Sequence, residues 1–109
     1  MTRPWTTVVE TKPFIKFRKD VMSEREGQAL IDHLARNPEA GDLIQGTGGC
    51  RKVRFAAKGK GKSGGVRVVT YFADPSLPLY LLDGIYKGDR EDFSPGEKKI
   101  MRELTARLK

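Results

Sequence analysis

One cysteine and one histidine are all that this 109-residue chain has for disulfide or zinc chemistry. A lone thiol closes no internal disulfide, and a Cys/His zinc site needs more ligands than these two. There is no run of about 18 apolar residues, so no membrane-spanning helix is expected. The N-terminus, MTRPWTTVVETK, lacks an apolar signal-peptide core, which points to the cytoplasm. The absence that says most is of negative charge: residues 43–73 contain no Asp or Glu.

The length suits one domain, residues 1–109, with a single modest core. The formal net charge is +7, and its placement is uneven. Residues 1–50 hold seven Lys/Arg against seven Asp/Glu, while residues 51–109 hold fourteen against seven. The whole excess therefore lies in the second half, which suggests a polyanion-binding surface rather than a uniformly solvated one. Its centre is residues 46–71, GTGGCRKVRFAAKGKGKSGGVRVVTY, with Arg51, Lys52, Arg54, Lys58, Lys60, Lys62 and Arg67 and no acid. Two β-like runs, residues 51–56 and 66–72, flank a tip of lysine, glycine and serine. Strand alternation puts Val53 and Phe55 on one face and Lys52 and Arg54 on the other. Pairing the apolar faces inward would gather Lys52, Arg54 and Arg67 on the opposite surface.

Around this hairpin the expected elements are few. Residues 5–17 read as one or two short strands broken at Pro13, from the β-branched Thr6, Thr7, Val8 and Val9 and the apolar Phe14, Ile15 and Phe17. Ser23 and Glu26 form a capping box that opens a helix running to about Arg36, with Leu30, Ile31, Leu34 and Ala35 as its buried stripe. His33 falls off that stripe and reads as a half-exposed helix residue. Residues 39–49 form a glycine-rich connector. Residues 77–86 read as a third main strand in an antiparallel meander. Ser94-Pro95-Gly96-Glu97 is a second capping box, opening a last helix with Ile100, Met101, Leu104 and Leu108 toward the core and Lys98, Lys99, Arg102 and Arg107 outward.

Some motifs fail on mechanism. Gly59-Lys60-Gly61-Lys62-Ser63-Gly64 spells a dinucleotide fingerprint, but a strand follows it where the pyrophosphate needs a helix N-terminus. The P-loop reading of Gly61-Lys62-Ser63 fails for the same reason. A two-metal nuclease needs clustered carboxylates, and Asp89, Glu91 and Asp92 read instead as charge ahead of a helix N-terminus. No metal and no cofactor are expected.

The ordered strings Asp42-Leu43-Ile44-Gln45-Gly46-Thr47-Gly48-Gly49, Arg51-Lys52-Val53-Arg54, residues 59–69, Ile85-Tyr86-Lys87, and Asp92-Phe93-Ser94-Pro95-Gly96-Glu97-Lys98-Lys99 resemble the RelE/HigB superfamily of toxins, closest to its HigB-like, phage-derived or addiction-module branch. The resemblance implies an α+β fold, a small antiparallel sheet of about four strands packed against helices. It implies a toxin of a type II toxin–antitoxin module that cuts messenger RNA on the ribosome without metal, by attack of the RNA 2′-hydroxyl on the neighbouring phosphorus. It also implies a cognate helix-turn-helix antitoxin, through which alone operator DNA would be contacted, and no membrane partner.

Such chemistry needs a base at the 2′-oxygen, charge stabilisation at the phosphoryl oxygens and an acid for the leaving 5′-oxygen. By motif, the resemblance assigns Arg54 and Arg67 to phosphate stabilisation and Lys52 or Lys87 to proton transfer. Arg51, Lys58, Lys60 and Lys62 would grip RNA, the three loop lysines on the ribosomal side. The family pattern has a tyrosine near the final helix where this chain has Phe93-Ser94. Tyr71 or Tyr86 would substitute, or Phe93 would stack a base. Cys50 would be a small buried residue. The competing reading is a non-catalytic RNA- or ribosome-binding module using the same surface.

Overall fold

The computed structural model describes residues 5–56, 65–86 and 93–108. They form, in order, β1 (Val8–Glu10), α1 (Lys12–Val21), α2 (Glu24–Arg36), β2 (Asp42–Leu43), β3 (Cys50–Phe55), β4 (Val66–Tyr71), β5 (Leu79–Tyr86) and α3 (Pro95–Leu108). The strands make a single sheet in the order β1-β5-β4-β3-β2. β3, β4 and β5 are the expected antiparallel meander, and β2 pairs antiparallel with β3. β1 runs parallel to β5, so the sheet is mixed and has five strands rather than about four.

The N-terminal segment departs most from expectation. Residues 5–17 are not a pair of strands: the extended run ends at Glu10, and Lys12–Val21 is helical. Pro13, read as a strand break, sits in the first turn of α1, where its missing N–H leaves no helical bond unmade. Phe14, Phe17 and Val21 then fall on one face, and Phe14 and Val21 are fully buried. The N-cap, Thr11, turns its hydroxyl away from the helix and donates to the carbonyls of Leu81 (2.9 Å) and Leu82 (3.0 Å), so α1 is pinned to β5 at its start. Arg18 Nε pairs with Glu10 Oε2 at 2.5 Å, tying the same helix back to β1.

Both capping boxes form. Ser23 Oγ accepts from Glu26 N while Glu26 Oε1 accepts from Ser23 N. At α3 the reciprocal pair is Ser94 with Glu97.

The sheet is covered on both faces. Val53, Val66, Val68, Leu79 and Leu81 meet Phe14 and Val21 of α1 and Leu30 and Leu34 of α2 on one side. Burial of side chains this large contributes about 1.5–3 kcal/mol each. The other side carries Ile44, Cys50, Val69, Tyr71, Leu82, Ile85 and Phe93, with Met101 and Leu108 of α3 packed on them. The α3 face differs from the one expected. Thr105, not Leu104, is its buried residue, and Ile100 and Leu104 are exposed.

Candidate nucleic-acid interface

The hairpin register is Cys50↔Tyr71, Lys52↔Val69, Val53↔Val68, Arg54↔Arg67 and Phe55↔Val66. Val53, Val66 and Val68 are drawn into the α1/α2 core, which forces their alternates onto the other face. Lys52, Arg54 and Arg67 therefore share one surface, with the two arginines as direct cross-strand partners. Arg54 is exposed, and Lys52 and Arg67 are half-buried. Like charges placed directly opposite are unfavourable in a sheet. An anion between them reverses the sign of that term.

β2 adds a residue that the sequence reading passed over. Asp42 is the cross-strand partner of Lys52, so an exposed carboxylate stands beside the cations. The available signal was slight: a two-residue strand inside a glycine-rich connector has no period to detect.

The loop before β3 is built to hold that strand's start. Thr47 is fully buried; its Oγ1 donates to Ile44 O at 2.6 Å and accepts from Cys50 N at 3.1 Å. Its carbonyl accepts from Thr105 Oγ1 at 3.1 Å, and Arg102 Nη1 donates to Gly46 O at 3.1 Å. The C-terminal helix is thus fastened to the loop that delivers β3.

The remaining site expectations divide. Arg51 alternates onto the opposite face from Lys52, and its Nη1 donates to Gly41 O at 3.1 Å. Tyr71 and Phe93 are 3% and 6% exposed and lie within the α3-side core, so neither ring is presented on the cationic surface. Burial, with a smaller contribution from the neighbouring Cys50, raises the Tyr71 hydroxyl above its ordinary value. Cys50 is fully buried, and its thiol is pushed up to about 11 by desolvation. The backbone of Tyr86 pairs with Val66 at the end of β5. Lys58, Lys60, Lys62 and Lys87 lie outside the described residues.

A family model described as the RelE toxin of the RelE/RelB toxin–antitoxin system matches residues 6–109. The chain belongs to the RelE toxin family. A solved structure of the E. coli toxin RelE, a double arginine-to-alanine mutant in the free state, superposes with a TM-score of 0.57 at 16% sequence identity. The match covers 90% of this chain and 97% of that one, and at such identity it is a likeness of fold. The RelE fold is accordingly the scaffold on which the cationic hairpin sits, and among the described residues no helix is long and apolar enough to cross a membrane.

Proposed function

We propose that this RelE-family toxin, of the HigB-like branch, is a ribosome-dependent messenger-RNA endonuclease that blocks translation in the cytoplasm. The observation that carries the reading is the Arg54–Arg67 pair: two arginines opposed on one face, with Lys52 on the same strand. Like charges directly opposite are unfavourable in a sheet, and a bound anion would offset that cost. A scissile phosphate, which gains negative charge on its equatorial oxygens during displacement, is such an anion.

In this reaction the 2′-oxygen loses its proton and bonds to phosphorus, and the bond from phosphorus to the 5′-oxygen breaks. The products are a 2′,3′-cyclic phosphate and a 5′-hydroxyl, so atoms and charge balance without a metal. Arg54 and Arg67 stabilise the phosphoryl oxygens, and Lys52 or Lys87 moves a proton. Arg51 and the loop lysines Lys58, Lys60 and Lys62 grip ribosomal and messenger RNA. A helix-turn-helix antitoxin neutralises the toxin.

The second reading is a module that grips translating RNA without cutting it. The burial of Tyr71 and Phe93 favours it, because neither aromatic is offered to a base beside the cations. Mapping RNA 5′ ends after induction separates the two. New 5′-hydroxyl ends on translated messages, absent with Arg67→Ala, are expected from the nuclease; growth arrest with uncut messages would leave the binder.

A further inference from the structure

Ile100 and Leu104, one turn apart on α3, are 66% and 36% exposed and form one wall of a cleft of about 330 Å³ between α3 and β5. Its floor, Val69, Leu82 and Ile85, belongs to the sheet face that carries the cations. Val69 is the cross-strand partner of Lys52, and Ile85 is that of Arg67. Asp83 pairs with Val69 on the same cleft, which makes it a diagonal neighbour of Arg67, about 7–8 Å away as such pairs lie. Its side chain is exposed, and Oδ1 accepts from Gly84 N at 2.8 Å, which orients the carboxylate. Among the described residues no donor takes Oδ2. Glu97, the other carboxylate on the cleft, is committed to Ser94 in the α3 capping box.

We propose that this cleft holds a nucleobase next to the scissile phosphate, and that Asp83 selects bases carrying an exocyclic amino group. The proposal rests on the RNA-cleavage reading and adds a base subsite to it. Single-stranded RNA is read through its splayed bases, by contact with their faces and hydrogen bonds to their edges. With its phosphate on Arg54 and Arg67, a nucleotide need cross only one strand to bring its base over Ile85 and against Ile100 and Leu104. Asp83 then stands at the edge of that base, one diagonal step from Arg67. A carboxylate oxygen only accepts. It bonds the 4-amino group of cytosine or the 6-amino group of adenine, and it repels the carbonyl that uracil or hypoxanthine carries in the same place. The continuity of the floor with the Lys52–Arg67 face favours RNA over a protein as occupant, since the phosphates on either side of the base meet cations there.

The test is cleavage of messages on programmed ribosomes, in pairs that differ by one amino-to-carbonyl change. Cytidine is set against uridine and adenosine against inosine, on each side of the cut in turn. On one of those sides the parent is expected to favour the amino base by about tenfold, the worth of one hydrogen bond to a charged acceptor. Asp83→Asn keeps an oxygen for Gly84 N but puts an amide N–H in place of Oδ2, so the preference should vanish or turn toward uridine and inosine. A merely structural role would lower cutting of both members of a pair alike. Ile100→Asp, at a mostly exposed position that tolerates charge, should slow cutting of every message by about tenfold, since it sets a second carboxylate against the base. Equal cutting within each pair by the parent, or an unchanged preference in Asp83→Asn, overturns the proposal. So does parental cutting by Ile100→Asp, which would leave the cleft to a protein occupant. Should the parent cut no message, the nuclease reading falls by itself, and titration with cytidine and uridine monophosphates decides the subsite. Tighter binding of the cytidine nucleotide, lost in Asp83→Asn, would uphold it, and equal affinities would end it.

Discussion

Arg54 and Arg67 are direct cross-strand partners, one exposed and one half-buried, on the sheet face that also carries Lys52. Opposed like charges repel each other and jointly attract phosphate, and these opposite demands separate a functional pair from a structural one. Arg54→Gln should leave the melting temperature unchanged or slightly higher, since a like charge directly opposite Arg67 is removed. Cleavage of message on programmed ribosomes should fall by roughly 10²–10³, the usual loss when one donor to a developing anion is removed. Single-turnover cleavage beside a thermal melt reads both. Parental cutting by Arg54→Gln would remove that residue from the site.

The start of β3 depends on Thr105 and Thr47. Thr105→Val keeps the shape of the side chain but removes the hydroxyl that donates to Thr47 O in a fully enclosed setting. The carbonyl left without that donor should lower stability by about 1–3 kcal/mol in urea unfolding, and Thr105→Ser should recover most of it. Gly48→Ala attacks the same junction from the loop side. Its φ of +77° disfavours a side chain, and an added Cβ would stand 2.6 Å from Thr105 Oγ1. If Thr105→Val unfolds at the parental urea midpoint, the junction is not what holds α3.

Where a side-chain rule acts over a few neighbouring residues, the chain was legible. The Ser23/Glu26 and Ser94/Glu97 boxes placed the starts of α2 and α3 because each box is a local pair of hydrogen bonds. The alternation of Val53 and Phe55 with Lys52 and Arg54 told which residues share a face, since a core must take one set. The contents of α1 and the rotation of α3 were not legible, because long-range partners decide them. Thr11 is held by Leu81 and Leu82, some 70 residues away, and Thr105 by Thr47, 58 away. A β-branched run leading into Pro13 looks extended when those partners are unseen, and a threonine looks less suited to a core than the leucine beside it.

α1 provides its own test at Gly84. The ring of Phe17 lies directly on this strand glycine, and a Cβ built there would overlap the ring. Gly84→Ala must displace Phe17 from the sheet, with a penalty of about 1–3 kcal/mol typical of overpacking. Phe17→Leu alone should also destabilise, but combined with Gly84→Ala it should recover part of the loss, giving a coupling beyond additivity. Chemical denaturation of the four proteins in the cycle measures it. Strict additivity would mean that the helix and strand do not meet as described.

Cys50 sets a limit at the alkaline end. Its thiol is raised from an ordinary value of 9.0 to about 11 because the folded chain keeps it from water, with Thr47 pulling weakly the other way. An acid whose folded value is raised leaves stability intact below the unfolded value. As pH rises past 9, the unfolded chain loses its thiol proton while the folded chain keeps it, so the equilibrium moves toward unfolding until about pH 11. At about 1.4 kcal/mol per unit, this window removes on the order of 2–3 kcal/mol. Guanidinium titrations at pH 8, 9, 10 and 11 should show the decline, and Cys50→Ala should flatten it relative to the parent while starting from a lower value. At pH 8 the native thiol should resist iodoacetamide and react only after denaturant is added, because the attacking species is the thiolate. Rapid alkylation of native protein at that pH would place Cys50 in contact with solvent and contradict the enclosure of the second core.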